Sequence, residues 1–225
     1  MASSGAPLSE DPSSPHAASP TPWPRRYPVT LLLLAVLLGA GLATGSAWHT
    51  VPHGVIRDAG FRPSDALALD LGRLLSAAWF TTDPWSLLQA LVLTGLGVGL
   101  VERRLGSAWA AAAFLGLHAL SFLSLALLYV VPATAGLVRN ARDIGASAGY
   151  FGTLALALAI TPRWRWLVPA FAIVTAASWL DAAAAHHVLG RDVNAGAEHL
   201  FTVVYGGLAG GLLGARRRHR AGREP

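Results

Sequence analysis

Trp109–Val131 reads WAAAAFLGLHALSFLSLALLYVV and carries no Asp, Glu, Lys or Arg. About 20 apolar residues in a helix, rising about 1.5 Å each, reach across the hydrocarbon core of a bilayer. Five more apolar runs lie on either side of it: Val29–Trp48, Trp85–Val101, Ile144–Ile160, Trp166–Leu180 and Ala195–Ala215. The pattern predicts an all-α, polytopic membrane protein whose six transmembrane helices occupy residues 27–215. Residues 1–26 are rich in Ser, Pro and Ala without apolar periodicity, and read as a disordered N-terminal tail. Residues 216–225 read as a basic C-terminal tail. The run from Val29 exceeds the ~7–15 apolar residues of a secretory signal peptide, so a retained helix is expected. Ala66–Phe80 is amphipathic and is expected at the membrane interface.

Composition agrees with this class. Of 225 residues, 53% are hydrophobic and 13% charged, where a soluble domain carries about 25% charged residues. The absence of cysteine excludes disulfides, thiolate metal sites and a cysteine nucleophile. All 17 basic residues are arginine, which with the Ala and Gly bias points to a GC-rich bacterial genome. The net charge is +5. Because the arginines flank apolar runs, the partner they imply is the lipid bilayer and not nucleic acid. Alternating sides from helix to helix puts Arg25, Arg26, Arg103, Arg104, Arg163, Arg165 and the five arginines from Arg216 to Arg223 on one face. Arg57, Arg62, Arg73, Arg139, Arg142 and Arg191 fall on the other. The arginine-rich face is expected to be cytoplasmic, with both termini inside a bacterial plasma membrane.

Ionisable and polar residues inside spans are costly, so His118, Ser147 and His199 are candidates for function. Counted from the inner ends of their spans, Ser147 and His199 both sit about 20 Å up, whereas His118 sits at about 13 Å. A serine and a histidine in contact form a nucleophile and base pair for acyl transfer. Alternatively, the serine bonds a carbonyl one turn back, and the histidine packs between helices. Small residues around Ser147 (Gly145, Gly149 and Gly152) and the spaced Gly206, Gly210 and Gly214 predict that the fourth and sixth spans pack closely.

These residues resemble the rhomboid family of intramembrane serine proteases over Arg73 to Gly214. Gly145-Ala146-Ser147 is similar to the family's serine motif, and Phe151 to the aromatic that supports the catalytic histidine ring. His199 is followed by the spaced glycines from Gly206, Val101–Ser107 resembles the family's exit from the second span, and Arg73 its first-loop arginine. The resemblance implies a six-helix rhomboid-like bundle, Ser147 as nucleophile, His199 as general base, a transmembrane protein substrate and no metal or cofactor. It leaves the oligomeric state open. The chain departs from the pattern at Ala148, Glu198, Thr202 and Gly72, and at the family's His and Asn oxyanion pair, where Ser86 and Ala90 stand. Ser86 and the neighbouring Gln89 are the expected substitutes. Three functions stay open: a protease, a pseudoprotease that binds transmembrane segments without cutting them, and a metal site or transporter built on His186, His187, Asp192, Glu198 and His199.

Overall fold

The computed structural model describes residues 26–134, 137–185 and 190–221. The expectation of a disordered tail therefore falls almost wholly outside the described residues, as do His186 and His187. The described chain is all-helical. Its helices are α1 (Pro28–Thr44), α2 (His53–Ala59), α3 (Pro63–Leu67), α4 (Leu71–Ala77), α5 (Pro84–Leu105), α6 (Ser107–Val130), α7 (Ser147–Ala159), α8 (Leu167–Ala184) and α9 (Gly190–Ala221).

Among the described residues, α5, α6 and α8 are long and apolar enough to cross a membrane. With 17 and 13 residues, α1 and α7 are apolar but shorter. The 32-residue α9 extends beyond the expected Ala195–Ala215 run at both ends, so the basic segment from Arg216 is helical as far as Ala221. The expected amphipathic segment Ala66–Phe80 is not one helix. It is split between α3 and α4 at Leu69, which adopts a left-handed φ of 57°.

The two apolar helices α7 and α8 have opposite surroundings. α8 buries only Thr175 and exposes Ile173, Val174 and Leu180. A helix so apolar and so little covered suggests a membrane around it. α7 instead runs through the centre, burying Ala148, Gly149, Tyr150, Gly152, Thr153, Ala155, Leu156 and Ala157. Glycine makes that possible. A Cβ on Gly97 of α5 would lie 2.9 Å from the Leu154 nitrogen. One on Gly206 of α9 would collide with the Gly152 carbonyl oxygen. α7 is therefore gripped at backbone distance by α5 on one flank and α9 on another.

Gly106, at φ 93°, is the single residue between α5 and α6. Just before it, Glu102 is 3% exposed and caps another helix from a distance. Its carboxylate accepts from the backbone N–H groups of Val29 (3.0 Å) and Thr30 (2.9 Å), from Thr30 Oγ1 (2.7 Å) and from Ser107 Oγ (2.6 Å). The first-turn donors of α1, which no helical carbonyl can serve, are thus satisfied by α5.

Helices α2 to α4 form a wall against α6. The edge of one ring in the Phe61–Phe122 pair meets the face of the other at 4.8 Å, and His118 Nε2 donates to the Leu74 carbonyl at 3.0 Å. Arg73 holds the wall together by donating to the carbonyls of Arg57 (3.0 Å) and Asp58 (3.1 Å) while pairing with Asp70.

Candidate active site

Ser147 is the first residue of α7, so the site depends on the loop that delivers it. That loop is tied on three sides. Asp143 pairs with Phe61 in a two-residue β-bridge. Gly145 N–H donates to the Ala77 carbonyl (2.9 Å), and Arg142 reaches the Gly60 carbonyl (2.8 Å) and Asp65 (3.0 Å). From the other side, buried Asn194 of α9 accepts from Arg139 N–H (2.9 Å) and donates to the carbonyls of Arg139 (2.7 Å) and Ala141 (3.1 Å). Trp179 of α8 donates to the Leu137 carbonyl at 2.9 Å. Irregular backbone is tolerated inside a helical bundle only when its polar groups are satisfied in this way.

Ser147 and His199 line one cavity of about 290 Å³. Ser86, Gln89 and Gly145 line it too, so five of the six catalytic and supporting residues expected from sequence converge there. The sixth, Phe151, lies against the imidazole, with ring centroids 4.5 Å apart and planes at 63°. Phe151 in turn meets Phe171 of α8 at 5.3 Å. The imidazole is thereby held against an aromatic edge-to-face stack.

The serine and the imidazole are not joined. His199 Nε2 is buried and has no hydrogen-bond partner. The helix start adds donors beyond the side chains expected from sequence. The first-turn N–H groups of α7 have no helical acceptor, and the positive end of its dipole lies at Ser147. Compared with known protein families, characterised proteins and solved structures, the chain has no match.

Ser86 is already engaged. Its hydroxyl donates to Asp83 (2.7 Å) and its N–H donates to the same carboxylate (2.9 Å), which also accepts from Thr82 Oγ1 (2.7 Å). Asp83 is the N-cap of α5. Partial burial opposes its ionisation, but the hydrogen bonds from Ser86 and Thr82 outweigh burial and hold the carboxyl below its ordinary value of 3.8. With the folded value depressed, the cap's stabilisation is complete above the ordinary value and is lost as pH falls through the depressed one. Asp83→Ala is expected to cost about 1 kcal/mol at neutral pH. Unfolding midpoints measured against pH should show wild type and variant converging in acid. A gap that persists in acid would mean that the carboxylate's charge is not what caps α5.

Sequence reasoning missed Thr202 as a bond-maker and noted it only as a departure from the family pattern. The buried Thr202 Oγ1 donates to the Ala148 carbonyl at 2.7 Å, pinning α9 to the first turn of α7 beside Ser147. Glu198, which precedes His199, is 1% exposed and its Oε1 has no donor among the described residues. The packing glycines divide. Gly152, Gly206 and Gly210 lie at the α7–α9 contact. Gly149 faces Phe114 of α6, where a Cβ would lie 2.7 Å from the ring. Gly214 lines a hollow with Ala159 and Val168. Among the described residues, no group of three or more His, Asp or Glu side chains is placed to hold a metal ion.

Proposed function

We propose that this chain is a rhomboid-like intramembrane serine protease that cleaves a membrane-anchored protein. In this reading α1, α5, α6, α7, α8 and α9 are the six spans, both termini are cytoplasmic, and the site opens toward the outer face of a bacterial plasma membrane. The carrying observation is that Ser147 and His199 share one cavity while Phe151 buttresses the imidazole. The shortness of α7 supports the same reading. A helix that starts partway across the layer, beneath a loop held by Phe61, Ala77, Trp179 and Asn194, leaves room for water at a depth where water is otherwise excluded.

The chemistry follows from the groups present. Ser147 Oγ attacks the scissile carbonyl carbon as its proton passes to His199 Nε2, and the carbonyl electrons move onto oxygen. The Ser147 N–H and the Gln89 amide are the donors for that oxyanion. Collapse breaks the C–N bond, and the amine leaves with the proton from Nε2. Water then hydrolyses the acyl ester by the same steps. The unpartnered Nε2 must close onto Ser147 when substrate binds, a tightening common to sites seen without substrate.

A serine-directed activity probe applied to detergent-solubilised protein tests the reading. Wild type is expected to label, and Ser147→Ala and His199→Ala to lose labelling. Gln89→Ala should slow it about 10²–10³-fold, as loss of one oxyanion donor does. Folded wild type that never labels would sink the protease reading.

One observation favours a second reading, a pseudoprotease that retains transmembrane clients. Ser86 is committed to Asp83, and no bond joins Ser147 to Nε2. Under that reading client proteins co-purify equally with wild type and Ser147→Ala. Trapping by the serine variant alone would speak for turnover.

A further inference from the structure

Apart from the cavity at Ser147, α1 and α5 leave between them a groove of about 320 Å³. Its walls are Leu31 and Leu34 of α1 and Leu96 and Leu100 of α5. Its floor is Gly95 and Gly99, one helical turn apart on α5. A Cβ on Gly95 would meet nothing within 4 Å, and one on Gly99 only Thr30 at 3.8 Å. These glycines are therefore not required by helix packing, unlike Gly97 between them in sequence, which abuts Leu154 of α7. They keep the trough open. From Gly95 to Arg103 the groove runs about 12 Å at the helical rise, close to the ~15 Å depth of one leaflet.

One end differs from the rest. Arg103 and Tyr27 line it, and Arg103 is exposed and forms no ion pair among the described residues. Exposed Arg26 precedes Tyr27 in the chain. The acidic side chain nearest in sequence, Glu102, lies behind Thr30 with four donors upon its carboxylate. The groove end is thus cationic, while its length is aliphatic.

We infer that this groove binds one anionic phospholipid, with an acyl chain lying over Gly95 and Gly99 and the phosphate at Arg103. The inference rests on the membrane part of the function proposed above and is independent of the protease part. The aliphatic residues along Gly95 and Gly99 match an acyl chain, and the cationic end matches a phosphate headgroup. A guanidinium matches a phosphate in charge and geometry.

The test uses full-length protein reconstituted into vesicles of equal phosphatidylcholine and phosphatidylglycerol, re-extracted in mild detergent, with the retained lipid counted by native mass spectrometry. Wild type is expected to retain one phosphatidylglycerol, enriched about fivefold over phosphatidylcholine, the effect of one arginine at a membrane surface. Arg103→Gln should abolish the enrichment. Gly95→Leu, whose Cβ has open space and whose side chain fills the trough, should abolish retention of either lipid. Equal retention of the two lipids by wild type, or retention unchanged in Gly95→Leu, would overturn the inference. Carbonate extraction of the same vesicles separates the two failures, since release of the protein into the soluble fraction would refute membrane residence itself.

Discussion

Gly206→Ala is expected to destabilise the protein by about 3 kcal/mol, at the upper end of overpacking in a close-packed interior. Most overpacked sites relax by moving a side chain. Here the added methyl would meet the Gly152 carbonyl oxygen and lie 3.1 Å from the Leu156 nitrogen, both main-chain atoms of the most buried helix. Only separation of α7 from α9 relieves the contact. That movement also stretches the Thr202 bond to Ala148 and pulls His199 away from Ser147, so probe labelling should fall along with stability. Gly211→Ala is the internal control. It lies on the same helix, and a Cβ there meets nothing within 4 Å, so its change should stay within about 0.5 kcal/mol. Matching midpoints for the two variants in thermal unfolding would show that the close approach at Gly206 is not what holds the helices.

Glu102→Ala is expected to cost about 3–5 kcal/mol, the penalty for stripping the partner from buried polar groups. Two N–H groups of the first turn of α1 and two hydroxyls lose their acceptor together. Glu102→Gln keeps the volume but not the function, because each carboxylate oxygen serves two donors and the amide would turn its own donors toward one of those pairs. It should recover at most half of the loss. Hydrogen exchange resolved by segment would place the effect, with faster exchange confined to the start of α1. An unfolding midpoint equal to that of wild type would remove Glu102 from the anchoring of α1.

The spacing of Gly206 and Gly210 was legible in the sequence because close backbone approach leaves a mark, the repeated absence of a side chain. The convergence of Ser147, His199, Ser86, Gln89 and Gly145 on one cavity was legible through motif order and counted depth. Directional bonds were not. Thr202 and Ala148 are far apart in the chain, and nothing local says that a threonine hydroxyl will find that carbonyl. Gly149 turned out to face Phe114 because helix rotation, which sets the partner of each small residue, is fixed by all the neighbouring helices at once. His118 fell below the counted depth of the candidate pair, and its buried bond to the Leu74 carbonyl, 44 residues away, depends on a wall of short helices whose break at Leu69 no periodicity announced.

The clamp of Asn194 on the loop before Ser147 bears on when the site can exist during synthesis. Arg139 and Asn194 are 55 residues apart. At about 5–20 residues per second, the ribosome finishes the loop before Ser147 several seconds before it makes the side chain that fixes that loop. His199, Thr202 and Gly206 arrive later still. The nascent chain therefore carries Ser147 unassembled until α9 is complete, and a chain truncated before Asn194 would hold the serine with none of the α9 contacts that shape its surroundings.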